Sequence, residues 1–328
     1  VLQGLQKEYP ICALVLEYRE VTKLKNTYID VIPKLTDADG RLRTIFNQTT
    51  TATGRLSSTN PNLQNIPVRG ELGRRIRRAF VAPNAERVLL AADYSQIELR
   101  LMAHLSGDEA MRNAFLTHQD IHDFTARQIF AIGPDAEVNG NQRRIAKSVN
   151  FGLLYGMSDF GLAQRLEIGR AEAKEMTSAY FARFPSVKAY IESVLERGRI
   201  DGYVATILGR RRYMPALRSS NYMLRSAAER EATNAPLQGS AADLMKLAMV
   251  RLDAALAERG YDAQMLLQIH DELIFEVSKR DLKAVATLVK QEMEGAIQLS
   301  VPIEVTVKTG ANWYEVAAYD DLESPDDD

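Results

Sequence analysis

Asp93 ends the apolar run Val88-Leu-Leu-Ala-Ala92, and Asp271 stands between two apolar runs in Gln268-Ile-His-Asp-Glu-Leu-Ile-Phe275. If these runs are neighbouring strands of one sheet, both carboxylates leave it at the same edge. Two close carboxylates repel unless a cation lies between them. Mg²⁺ takes oxygen ligands, often one or two carboxylates plus substrate phosphates. A pair of such ions about 3.5–4 Å apart can activate an attacking oxygen and stabilise a leaving one. At this point the plainer reading stays open, with Asp93 capping a helix and Asp271 occupying a turn. Ser95-Gln96-Ile97-Glu98 likewise reads as a capping box, which would make Glu98 structural.

Between the two acids lies Arg143-x-x-x-Lys147-x-x-x-Phe151-x-x-x-Tyr155-Gly156. Residues stepping by four drift about 40° per step, so these four cover one helix face roughly 120° wide and about 18 Å long. That length suits an extended nucleoside triphosphate. Arg143 and Lys147 would hold phosphate oxygens, Phe151 would lie against the sugar and Tyr155 would stack near the base. Arginine offers a bidentate fork, and lysine is a compact charge that can give up a proton. The alternative is an amphipathic helix with a basic rim and an aromatic core stripe. Gly152 and Gly156 weigh against it, because glycine costs helix stability and admits a closely approaching ligand.

The pattern around these residues predicts the elements that must place them. Residues 1–30 read as helical, and 36–68 as hairpins and loops rich in Thr, Ser, Asn and Gly. Residues 86–92 read as a buried strand, followed by helical periodicity through Ile97, Leu101, Met102 and Leu105. From Gly107 to about Arg199 the pattern is helical, with breakers at Gly133-Pro134, Gly140, Gly169 and Pro185. A strand pair is expected within Gly202–Gly209. Long helices follow over 221–259, broken at Pro236. Strands at Gln264–Ile269 and Leu273–Val277 meet at His270-Asp271. A helix at 281–298 and a strand at Ile303–Val307 close the domain, and the acidic tail after about Ala317 reads as disordered.

At 328 residues the chain is too long for one small core, so two lobes are expected. No apolar run reaches 18 residues, which predicts no membrane span. A single cysteine, Cys12, rules out an intrachain disulfide and a cysteine-based zinc site, and points to a reducing, cytoplasmic setting. The first residue is Val1, and the opening segment reads as mid-helix, so a fragment of a longer protein is expected. The formal net charge of −2 becomes +4 without the six acids between Asp320 and Asp328. Positive charge is clustered at Arg69, Arg74, Arg75, Arg77 and Arg78, at Arg143 and Arg144, and at Arg210, Arg211 and Arg212. Three clusters flanking the two acids point to a polyanionic partner.

Three segments then carry a resemblance. Asp93-Tyr-Ser-Gln-Ile-Glu-Leu-Arg100, Arg143-Arg-Ile-Ala-Lys-Ser-Val-Asn-Phe-Gly-Leu-Leu-Tyr-Gly156 and His270-Asp-Glu272 resemble motifs A, B and C of family A DNA polymerases, the bacterial DNA polymerase I group. Supporting segments are Thr53-Gly-Arg-Leu-Ser-Ser58, Pro61-Asn-Leu-Gln-Asn-Ile-Pro67, Asp120-Ile-His122 and Asn234-Ala-Pro-Leu-Gln-Gly239. The similarity runs from about residue 10 to 316, with the motifs in family order.

The resemblance implies an α+β, right-hand polymerase fold with an antiparallel-sheet palm and an inserted helical fingers subdomain. Residues 1–30 would be the base of a thumb, 31–106 and 214–316 the palm, 107–213 the fingers, and 317–328 the tail. It implies DNA-templated addition of dNTPs to a primer 3′-OH by a monomer bound to primer–template DNA, in replication or repair. Proofreading and 5′-nuclease portions would be absent from this chain. Two Mg²⁺ ions, with Mn²⁺ as a substitute, would bind Asp93, Asp271 and the backbone carbonyl of Tyr94, and Glu272 would be a further catalytic carboxylate beside them. Arg143, Lys147, His122 and Gln96 would meet the incoming triphosphate, with Lys147 donating a proton to pyrophosphate. Phe151 would meet the sugar, Glu98 would exclude a ribose 2′-OH and Tyr155 would guard the templating position. Arg55, Gln64, Asn65, Arg230, Asn234, Gln238 and His270 would meet the duplex near the primer end. Minor-groove acceptors look alike in both base-pair orientations, so donors placed there can verify pairing without reading sequence. A two-metal nuclease and a non-catalytic nucleic-acid-binding module remain as rival readings.

Overall fold

The computed structural model describes residues 2–67, 70–133 and 135–320. Arg69, Pro134 and the acidic stretch from residue 321 onward lie outside the described residues.

A five-stranded antiparallel sheet has the order β6-β7-β3-β8-β9. Its strands are β3 (Arg87–Tyr94), β6 (Ala263–Ile269), β7 (Glu272–Ser278), β8 (Val305–Gly310) and β9 (Ala317–Ala318). Two small hairpins stand apart, β1 (Ile45–Asn47) with β2 (Ser57–Thr59), and β4 (Tyr203–Ala205) with β5 (Arg211–Tyr213). The principal helices are α1 (Pro10–Leu24), α2 (Ile97–Ser106), α3 (Glu109–Leu116), α4 (Ile121–Ile129), α5 (Gly140–Leu154), α6 (Asp159–Leu166), α7 (Arg170–Arg183), α8 (Pro185–Asp201), α9 (Tyr222–Arg259) and α10 (Leu282–Glu294).

The central strand β3 is buried on both faces, which is why it reads as a continuous apolar run rather than an alternating one. Leu90 and Ala92 enter the larger core with Leu273, Phe275 and residues of α2, α9 and α10. Leu89 and Ala91 enter a second core with Ile274, Ile269, Leu24, Tyr28 and Trp313. Fully burying a side chain such as Phe275 contributes about 1.5–3 kcal/mol, so each face is firmly held. The period of two then assigns the ends of the strands. Asp93 and its cross-strand partner Glu272 fall on the second face. Tyr94 falls on the first, where its phenol donates to the Met293 carbonyl at 2.8 Å.

Four expectations are corrected. Helix α9 runs unbroken through Pro236. An interior proline costs about 3 kcal/mol, but Ala232, Ala235, Leu237, Ala241 and Leu244 bury the helix on both sides of it, and that packing outweighs the lost hydrogen bond. The hairpin expected within 202–209 pairs Tyr203–Ala205 with Arg211–Tyr213, so the segment supplies one strand and the turn. The helix expected to reach 298 stops at Glu294, and the last long strand lies at Val305–Gly310, where pairing with β3 sets its register. Ala317 and Ala318, read as part of the tail, pair with Thr309 and Lys308.

Candidate active site

The β6–β7 turn is closed by His270, which adopts the left-handed region at φ 54°. Asp271 therefore follows at the tip, beside the end of β3. The Tyr94 N–H donates to the Asp271 carbonyl at 3.0 Å, and Asp93 pairs directly with Glu272. Asp93 and Asp271 thus meet at one sheet edge, 178 positions apart in the chain.

Their electrostatics are those of a crowded anionic site that nearby cations offset only in part. Desolvation, then the neighbouring charges of Glu272 and Asp271, push Asp93 up to about 7. Burial also raises Asp271, against the opposing charges of Arg55 and His270. Glu272 is raised by burial, against Arg77 and Lys308. No cation lies within ion-pair reach of Asp93 among the described residues. A carboxylate crowded by two others, with only the more distant charge of Lys308 against them, suits a divalent cation. No group of three or more metal-ligating side chains assembles among the described residues. Substrate and water oxygens would therefore have to complete any shell.

Glu98 is not part of a capping box. The residue flanking α2 is Gln96, in the left-handed region and without a side-chain cap. Glu98 is 4% exposed and accepts from Arg55 at 2.8 Å and from the Tyr155 hydroxyl. Burial raises its pKa, opposed by those two partners. Arg55 also lies 3.8 Å from Asp271. One connected group therefore links Asp271, Arg55, Glu98 and Tyr155, joining the sheet edge to the end of α5.

The other end of α5 carries the cations. Arg143 pairs with Asp120 and with Asp123, the latter at 3.2 Å. Lys147 is exposed and has no carboxylate within ion-pair reach among the described residues. His122 is 2% exposed and packs against Phe151 with ring centroids 5.8 Å apart, and Phe151 sits 6.2 Å from Tyr155. The predicted face of α5 is therefore continuous. Gly156, at φ +69°, turns the chain away, and a Cβ there would lie 3.3 Å from the Arg230 backbone. That close approach docks α5 against α9.

On α9, Arg230, Asn234 and Gln238 step by four along one face. Arg230 is held by Ser226 at 2.9 Å, and the Asn234 side-chain oxygen is buried without a partner among the described residues. Gly239 lets α9 approach the loop carrying Arg55. A Cβ there would fall 2.5 Å from Thr206 and 3.2 Å from the Thr53 carbonyl.

Gln64, Asn65 and Gln96 are not members of the group that links Asp271 to Tyr155. The Gln64 amide is committed to Gln268, at 3.0 Å to its carbonyl and 2.9 Å to its side chain. The Asn65 carbonyl accepts from Tyr28, leaving its side chain at the surface. Gln96 lines a cavity of about 270 Å³ with Arg100, His118, Asp120 and Glu304, apart from the Glu98 group. The sequence reading missed Gln268, which bridges Gln64 to the His270 carbonyl at 2.6 Å. It also missed Asn150, which contacts His122. Their only signal was a polar residue at a core-facing position.

Comparison with known proteins matches residues 1–315 to DNA polymerase family A. DNA polymerase I of Mycobacterium bovis is 52% identical over 93% of this chain and 34% of its own length. The thermostable DNA polymerase I of Thermus aquaticus is 54% identical over 95% of this chain and 37% of its own. The chain thus spans about a third of the length of these relatives. Among solved structures, the POL domain of Pol1 from M. smegmatis, in complex with DNA primer-template and dNTP, superposes with a TM-score of 0.91 at 48% identity. It covers 96% of this chain and 56% of that one.

Proposed function

We propose that this chain, which belongs to DNA polymerase family A and has its α+β polymerase-domain fold, adds dNTPs to a primer 3′-OH opposite a DNA template. The observation that carries the reading is the convergence of Asp93 and Asp271 at one sheet edge, linked through Arg55 and Glu98 to Tyr155 at the end of α5. Residues 31–106 and 214–316 form a palm, 107–213 the fingers and 1–30 the base of a thumb. The partners are primer–template DNA and dNTPs, and the chain works as a monomer. No helix among the described residues is long and apolar enough to cross a membrane.

Asp93, Asp271 and the backbone carbonyl of Tyr94 would hold two Mg²⁺ ions, or Mn²⁺ in their place. The Tyr94 phenol takes no part, because it is committed to Met293. When bound, such ions lower the pKa of an attacking hydroxyl and stabilise charge on a leaving oxygen. The protein's own groups do the rest. Lys147 and Arg143 neutralise charge on the triphosphate, and the Lys147 ammonium donates a proton to the departing pyrophosphate. Phe151 bears on the sugar. Glu98, buried and held by Arg55 and Tyr155, closes the space a 2′-OH would need. Burying it against a hydroxyl costs a hydrogen-bond rearrangement as well as a steric clash. Arg55, Gln64, Asn65, Arg230, Asn234, Gln238 and His270 line the path of the primer end. Glu272 acts on Asp93 through its charge, which Arg77 and Lys308 offset in part.

A labelled primer–template incubated with Mg²⁺, with and without dNTPs, tests the reading. Growth of the primer is expected only with dNTPs. Shortening of the primer instead would establish the nuclease alternative, and binding with neither outcome would leave a non-catalytic module.

A further inference from the structure

His122 is gripped by a buried relay that nothing in the nucleotide reading requires. Its Nδ1 lies 3.0 Å from the side-chain nitrogen of Asn150, which is 0% exposed. The Asn150 side-chain oxygen lies 3.0 Å from the Thr125 hydroxyl, also 0% exposed, and that hydroxyl lies 2.8 Å from the Ile121 carbonyl. The other ring nitrogen, Nε2, meets no protein partner among the described residues. A neutral imidazole carries its proton on one nitrogen only, and the hydrogen bond at the first nitrogen decides which.

Two proton arrangements satisfy the relay. In the one shown, Thr125 donates to the Asn150 oxygen, the Asn150 amide donates to Nδ1, and the ring proton sits on Nε2. In the reverse, Thr125 donates to Ile121, the amide is turned over, and Nδ1 carries the proton. The reverse would aim a lone pair from Nε2 at any phosphate, and only a second ring proton could mend that. The charged groups around the ring are Asp120, Lys147 and Arg143. Burial, with the two cations, outweighs Asp120 and holds the imidazole down to about 4. A second proton is therefore disfavoured, and only the first arrangement gives a donor.

We propose that Asn150 is a positioning residue that fixes His122 as the neutral Nε2–H tautomer, so that a histidine without charge donates a hydrogen bond to the incoming triphosphate. The assignment rests on the reading of α5 as the nucleotide face. Asn150 touches no substrate and acts through His122, and Thr125 anchors it.

The chain has four histidines, so ring-nitrogen NMR of the ¹⁵N-histidine-labelled, nucleotide-free protein reads the tautomer directly. The His122 signal is the one missing from His122→Gln. Its proton is expected on Nε2, with no titration between about pH 5 and 8. A proton on Nδ1, or a midpoint inside that window, would overturn the proposal whatever the activity. In Asn150→Asp the new carboxylate can only accept, so Nδ1 gains a proton and the midpoint moves up into the window. If that variant does not fold, Thr125→Val unpins the amide, and the fixed Nε2–H pattern should give way to a mixture. In primer extension, Asn150→Leu should raise KM for dNTP about tenfold, the scale of one hydrogen bond to a charged group, with kcat changed less than about threefold. An unchanged KM would also overturn it. A correct tautomer in a protein that extends no primer would instead reject the polymerase reading alone.

Discussion

Replacing Asp271 with asparagine should reduce primer extension at least about a thousandfold, because ion-borne charge stabilisation is worth several kcal/mol and each 1.36 kcal/mol is a factor of ten. The substitution keeps the shape of the turn and the Tyr94 N–H to Asp271 carbonyl bond, which uses the backbone. Fold and duplex affinity should therefore survive. Removing an anion beside Arg55 and His270 strengthens attraction for DNA if it does anything. Single-turnover extension on a preformed complex, beside duplex binding by anisotropy, separates the two effects. A rate within tenfold of the parent's would reject the role given to this carboxylate.

Lys147→Met should lower kcat/KM for dNTP by about a hundred- to a thousandfold, the loss recorded when one preorganised donor to a developing negative charge is removed. Lys147 is expected to matter more than Arg143 for a reason visible in the geometry. Arg143 arrives already paired with Asp120 and Asp123, so part of its charge is neutralised before substrate binds. Lys147 has no such partner among the described residues. Arg143→Met should cost less, and its loss should appear mainly in KM. Equal kcat values for Lys147→Met and the parent, measured at saturating dNTP, would refute the assignment.

The chemistry was legible in the sequence where it depends on residue type at short spacing. The 143–155 face needs only helical periodicity, and Asp93 and Asp271 each sit at the end of an apolar run. That they meet was not legible from those runs alone, because the meeting depends on β3 pairing with β7 in one register. A slip of one residue would have sent Asp93 to the Tyr94 face. Pro236 misled because local propensity says break, while the burial that overrides it comes from distant elements. Glu98 was read both as a cap and as a gate. Only the left-handed Gln96 and the contacts with Arg55 and Tyr155 exclude the cap. Asn150 and Gln268 stayed invisible because each is defined by a hydrogen bond to a residue far along the chain, His122 and Gln64.

The central claim is that Asp93 and Asp271 hold divalent cations jointly. Titration of the protein with Mn²⁺ in the presence of dNTP, followed by the electron paramagnetic resonance of the free ion, tests it directly. The parent should bind at about pH 8, and Asp93→Asn and Asp271→Asn should each weaken binding at least about tenfold, the effect of losing one carboxylate oxygen from an oxygen-ligated ion. Parent affinity should also fall as pH drops below about 7, since Asp93 then holds a proton that the ion must displace. Equal affinity in the parent and both variants would contradict the claim.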